Sequence, residues 1–152
     1  NSPLDLKDVD PKWLRETLDK SGIRWRVIVI SACYSGSFVP ALQDDNTLII
    51  TASAADRASF GCSNEADYTY FGRAFFDQAM REQTSVTAAF EQAKATVAQW
   101  ESAQGFEASE PQWSIGKNME FMLPQLEQRL FPVVSKADSK TVETPQLSVQ
   151  TQ

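Results

Sequence analysis

The chain has 152 residues, of which 20 are Asp or Glu and 14 are Lys or Arg, giving a formal charge of −6 with 42% hydrophobic and 11% aromatic residues. That composition describes one soluble globular domain, long enough to bury roughly 70% of the surface its unfolded form exposes without metal or disulfide staples. The acidic balance argues against a nucleic-acid or anionic-membrane surface, and the absence of histidine excludes Cys-His zinc sites and Ser-His-Asp triads built from this chain alone.

Lys7, Lys12, Arg15, Lys20, Arg24 and Arg26 cluster early, but acidic residues are interleaved among them, so the stretch reads as a solvated helix face. Asp10-Pro11 is an N-cap followed by proline at the first helical position. Trp13, Leu14 and Leu18 share one face of the helix it opens, and Gly22 stops it. Trp25 to Ala32 is then almost continuously apolar, as in a strand buried on both faces of a parallel sheet. Cys33 stands at its C-terminal end, and Tyr34-Ser35-Gly36-Ser37 reads as a break.

Gln43 to Asn46 marks a turn before a second apolar strand, Thr47 to Ala52. Ser53 to Thr69 is a long run of small and polar residues, the kind of loop that is usually functional or disordered. Phe71, Phe75 and Ala79 space as one helix, and Val86, Ala89, Phe90, Ala93, Val97 and Trp100 as a longer one, their stripes read as core. After a loop from Gln104 to Glu110, Pro111 to Ile115 suits a last strand near a sheet edge. Met119 to Leu130 suits a final helix that Pro124 would kink or split. From about Ser135 the composition is polar and lacks aromatics, so residues 134–152 are expected to form a disordered tail beyond a domain of residues 1–133. The alternation of strand and helix argues for an α/β sheet.

No apolar run approaches the roughly 18 residues that span a bilayer. The two cysteines, Cys33 and Cys62, could form one disulfide, and they leave the compartment undetermined. The chain opens at Asn1 without an initiator Met and reads as a processed or truncated product, from which a signal peptide or anchor could have been lost upstream.

In open α/β sheets reactive groups gather in the crevice beyond the carboxyl ends of the strands, which is where Cys33 falls. The Ser35-Gly36-Ser37 segment brings backbone N–H groups close to the thiol, suited to stabilising a thiolate or an oxyanion. The alternative is a buried structural cysteine. An esterase-type nucleophile elbow would need glycines where Ser31 and Ser35 stand.

Ser31-Ala32-Cys33-Tyr34-Ser35-Gly36-Ser37-Phe38 after an apolar strand resembles the nucleophile segment of the legumain family of cysteine peptidases. The likeness extends to Leu4 to Val9, to Thr51-Ala52-Ser53-Ala54-Ala55 with Arg57, Ser59, Phe60 and Cys62, to Thr69-Tyr70-Phe71-Gly72, and to Pro111 through Gly116. It covers residues 4–118 and looks most similar to bacterial members. Caspases share the fold, but their Gln-Ala-Cys-Arg-Gly signature is absent. The resemblance implies a caspase-like three-layer α/β sandwich with a mostly parallel sheet, here lacking its N-terminal strands. It implies peptide-bond hydrolysis, with Cys33 as nucleophile, no metal or cofactor, and a peptide or protein as substrate.

The family's general base comes from a His-Gly pair upstream of the segment resembled by Leu4 to Val9, so the chain by itself is expected to be inactive. Truncation, processing into paired fragments and true loss are the three origins weighed. The first two imply the N-terminal half of its own domain as a partner; a homo-oligomer is compatible with the sequence. A non-catalytic pseudopeptidase or interaction module of the same fold is the rival reading. The family's asparagine pocket places acidic residues where this chain has Ser31 and Arg73, whereas Ser59 matches a pocket serine. By resemblance, Ser31, Ser59 and Arg73 are substrate-binding positions, and a guanidinium among them favours Asp or Glu over Asn at the cleavage site. The competing reading for Arg73 is a side chain turned to solvent. Cys62 is read as a packed thiol without catalytic use.

Overall fold

The computed structural model of the chain describes residues 9–61 and 68–131. At the centre of the molecule is the strand β2 (Thr47–Thr51), buried at each of its residues. It pairs in parallel with β1 (Arg26–Ile30), Val27 opposite Leu48 and Val29 opposite Ile50. On its other side it pairs antiparallel with β3 (Gln112–Ile115), Leu48 opposite Ile115. The strand order is therefore β1-β2-β3, a mixed sheet whose two expected parallel neighbours are joined by a reversed third strand. The third strand runs the other way because the loop after the long helix delivers the chain to the carboxyl end of β2, where Thr51 faces Gln112.

Alternation along β2 sends Leu48, Ile50 and Ala52 to one face. There they pack with Phe71, Ala74, Phe75 and Ala79, with Ala89, Phe90, Ala93 and Val97, and with Met119 and Leu123. Ile49, pointing the other way, is equally buried, and the short helix α2 (Val39–Leu42), against which α1 (Pro11–Lys20) lies, contacts β2. Both faces of β2 are thus covered, which explains its unbroken apolar run. Asp10 caps α1 through the Lys12 N–H, 2.8 Å away, with Pro11 at the first helical position. At the other end of α1, Asp19 accepts from Arg15 and from Arg26 of β1, and these hydrogen bonds hold its carboxyl below the usual carboxylate range.

The helical segment expected around Phe71 and Phe75 is continuous but not uniform. α3 (Tyr70–Gly72) widens into a π-helical stretch, Arg73–Ala79, before closing as α4 (Met80–Glu82). The Met80 N–H donates to Phe75 O, five residues back. The wider turn keeps Phe71, Ala74, Phe75 and Ala79 all buried over the nine residues from Phe71 to Ala79. α5 (Val86–Gln104) follows. The Glu127 carboxylate accepts the Val86 N–H at 2.6 Å, placing negative charge at the helix start, and Gly105 closes the helix at φ +70°.

Three sequence expectations are revised. β1, expected to be buried on both faces, is only partly buried, with Val27 44% exposed, because it stands at the edge of the described sheet with β2 on one side alone. The segment after Cys33 is a turn of 3-10 helix, Ser35–Phe38, leading into α2, rather than a plain break. α6 (Lys117–Leu130) runs through Pro124 without splitting, because the exposed ring sits on the outer face while Met119 and Leu123 anchor the inner face to the core. Leu4 to Asp8, Cys62 and the expected tail lie outside the described residues.

β3 passes into α6 at Gly116, whose N–H donates to Thr47 O, while Asp45 O accepts the N–H groups of Asn118 and Met119. A Cβ at Gly116 would be driven into the backbone of Asp44 and Asp45. Gly116→Ala is accordingly expected to cost about 1–3 kcal/mol by forcing β3 from the turn before β2, measured as a lower midpoint in urea unfolding with an unchanged slope.

Candidate active site

The parallel strands β1 and β2 end side by side, and the loops that leave them are tied together. Ser35 N–H donates to Ser53 Oγ at 3.2 Å, and Ser53 N–H donates to Ser35 Oγ at 3.2 Å. The two hydroxyl oxygens are 3.3 Å apart and Ser53 Oγ donates to Ala32 O. Both serines are fully buried, so this reciprocal bonding satisfies polar atoms that water does not reach. Gly36 packs so closely on the second loop that a Cβ there would stand 2.6 Å from Ala55 N and 2.8 Å from Ala54 C.

Between these fixed points the chain turns sharply at Tyr34, which adopts φ +58° and ψ +19°, a left-handed conformation that bulky residues rarely take. Its N–H donates to Arg57 O at 2.8 Å, and Ser37 closes the turn by donating from N–H and Oγ to Tyr34 O. The result lifts Cys33 to the surface. Its thiol is free and exposed, which removes the reading of a buried structural cysteine. Sγ donates to Ser59 O and accepts from Ser59 N–H, each at 3.2 Å.

Of the four candidate residues, the fold therefore brings Cys33 and Ser59 into direct contact. Ser31 sits nearby but turns to Thr69, the two hydroxyls 2.8 Å apart, and Thr69 Oγ1 also accepts the Gly72 N–H at the start of α3. Arg73, which follows Gly72, is exposed, in keeping with the alternative of a solvent-facing side chain, and its guanidinium lies 5.8 Å from the Trp100 ring centroid. There it helps line a cavity of about 270 Å³ together with Gly61, Tyr68, Tyr70, Trp100 and Gln104. Gly61 connects the two regions, being two residues beyond Ser59.

The backbone donors expected around the thiol are largely committed elsewhere, since Ser35 N–H serves Ser53 and Ser37 N–H serves Tyr34. The Cys33 N–H has no acceptor among the described residues. Sequence reasoning missed Ser53 and Thr69 as the groups that hold the turn and Ser31, and no local signal marks them, because each acts on a residue at least 18 positions away. Among the described residues no group of three or more His, Cys, Asp or Glu side chains could hold a metal ion.

The site thus presents a free, exposed thiol just beyond the carboxyl end of the partly buried parallel strand β1, next to a left-handed turn, an arrangement in which a thiol is accessible to reagents. The family model of the Peptidase C13 family matches residues 1–122, and the chain belongs to that family, the legumain family of cysteine peptidases with a caspase-like α/β fold. No curated protein matches it.

Because Gly36 is what lets the nucleophile turn lie against Ala54 and Ala55, Gly36→Ala is expected to destabilise the protein by about 1–3 kcal/mol. It should also change the rate of Cys33 alkylation by iodoacetamide at temperatures where the variant is fully folded. Wild-type alkylation kinetics in such a variant would show that the close approach does not set the thiol's position.

Proposed function

We propose that this chain carries the nucleophile side of a cysteine endopeptidase, with Cys33 attacking the scissile carbonyl. The Cys33 sulfur forms a bond to the carbonyl carbon, whose oxygen becomes an oxyanion accepting from the Cys33 N–H. Collapse expels the amine, leaving a thioester on Cys33, and water then releases the acid and regenerates the thiol. The proton removed from the thiol and delivered to the leaving amine requires a base, and with no histidine among these 152 residues it comes from a histidine outside them.

The observation that carries this reading is the exposed Cys33 thiol held on the Ser59 backbone at the end of β1, in a chain of a cysteine-peptidase family. The Cys33 N–H, without an acceptor among the described residues, supports the oxyanion role. Ser59, in contact with the thiol, and Ser31, set by Thr69, flank the position a substrate side chain would take. Arg73 gives the neighbouring cavity a positive charge, and the indole beneath its guanidinium limits where it can swing. A carboxylate entering that space gains charge-assisted hydrogen bonds, which favours Asp or Glu over Asn at the cleavage site.

In the full-length protein, Cys33→Ala is expected to lower kcat/KM on a peptide substrate by about a thousandfold or more, and iodoacetamide should modify Cys33 faster than Cys62. Undiminished turnover in Cys33→Ala would overturn the assignment; absence of any turnover in the wild type, with equal labelling of both thiols, would favour a non-catalytic module. For specificity, a peptide library varied at the cleavage position should show acidic preference that Arg73→Ala removes. Strong Asn preference, unaffected by Arg73→Ala, would refute the role given to Arg73.

A further inference from the structure

α5 presents six buried residues to the interior, Val86, Ala89, Phe90, Ala93, Val97 and Glu101. The last continues the apolar stripe at the i, i+4 position after Val97, yet it is a carboxylic acid only 2% exposed. Glu101 Oε2 accepts the Ser109 N–H at 3.0 Å. Its other oxygen, Oε1, and the neighbouring Ser109 hydroxyl are buried without a hydrogen-bond partner among the described residues. A Leu or Met would fill this position without the cost of desolvating a half-satisfied carboxyl, so packing alone does not account for the residue.

Hydrogen bonds lead from this carboxyl toward the thiol. Ser109 O accepts the Ala54 N–H at 2.9 Å, Ala54 O accepts the Arg57 N–H at 3.3 Å, and Arg57 O accepts the Tyr34 N–H at 2.8 Å. Tyr34 is the left-handed residue directly after Cys33. Ala54 is also one of the two residues against which Gly36 packs. The surface ion pairs of Arg57 with Glu107 and Glu110 lie in the same loop, but those carboxylates are 76% and 55% exposed. Screened by water, such pairs hold little. The buried anchor of the loop is Glu101.

We propose that Glu101 is a positioning residue for the nucleophile: its carboxyl fixes the loop of residues 105–110 against the loop after β2 and, through Arg57 O, the turn that carries Cys33. This rests on the reading of Cys33 as the nucleophile and adds a residue that touches neither thiol nor substrate. The unpartnered oxygen is the structural cost of that role. Removing the carboxyl while keeping the bulk should relax the turn without harming the core.

The test uses the full-length protein with Glu101→Met, Glu101→Gln and, as a packing control one helical turn away, Val97→Ala. Glu101→Met is expected to keep or raise the melting temperature while slowing Cys33 alkylation and lowering kcat by about tenfold or more, with KM little changed. Glu101→Gln should stay near wild type in both, since its amide oxygen still accepts the Ser109 N–H and its amino group can donate to the Ser109 hydroxyl. Val97→Ala should lower the melting temperature and leave Cys33 kinetics alone.

Wild-type alkylation and kcat in Glu101→Met, or equal impairment in Glu101→Gln, would overturn the proposal. If Glu101→Met does not fold, amide exchange in the wild-type protein decides. The Ser109, Ala54, Arg57 and Tyr34 amides should open with one common free energy, and unrelated values would overturn the coupling. Turnover that survives Cys33→Ala would instead refute the nucleophile assignment, while the alkylation kinetics still report on Glu101.

Discussion

Ser35 and Ser53 each give a backbone N–H to the other's hydroxyl, and the arrangement of the site depends on that exchange. Two parallel strands can lie side by side without their following loops sharing any geometry. Here the loops are locked within the first few residues after β1 and β2, at a depth where an unpaired hydroxyl or amide would be costly. Once that lock is set, the chain between Ile30 and Ser35 has little freedom. It crosses from the strand to the 3-10 turn through a single left-handed residue, and Cys33 is the side chain left facing outward.

The apolar core supplies the rigid base for this arrangement. β2 is buried on both faces, and α5 and the π-helical stretch pack on the face formed by Leu48, Ile50 and Ala52. The strain of Tyr34 and the tight approach of Gly36 to Ala54 and Ala55 are tolerated because the elements on either side are over-determined by packing. Polar groups that would be free on a surface loop are committed to specific partners. The Ser35 and Ser37 amides are engaged in this way, whereas the Cys33 N–H has no acceptor among the described residues.

The four residues singled out by resemblance are held in different ways. Ser59 touches Cys33 directly, Ser31 is held one step away by Thr69, and Arg73 belongs to an aromatic cavity beside them. Phe60 stacks on Phe106, and Tyr70 meets Trp100 edge-on, so the walls of that region come from three separate stretches of chain.

The sequence by itself determined the elements whose cause is local or periodic. Asp10-Pro11 opens α1, the apolar run to Ile30 forms β1 and ends just before the thiol, and the stripe from Val86 to Val97 faces the core of α5. The ordered blocks around Cys33 also made the family legible. Tertiary structure decided what depends on residues far apart in the chain: the reversal of β3, the passage of α6 through Pro124, and the contact of Cys33 with Ser59, 26 residues on. It alone turned the Arg73 guanidinium onto Trp100 and gave the Glu101 carboxyl its partner in Ser109. Glu101 was not singled out by the sequence, and only the structure shows it buried in line with that stripe. Periodicity reports which way a side chain points, whereas the partner it meets is fixed only when distant loops close on one another.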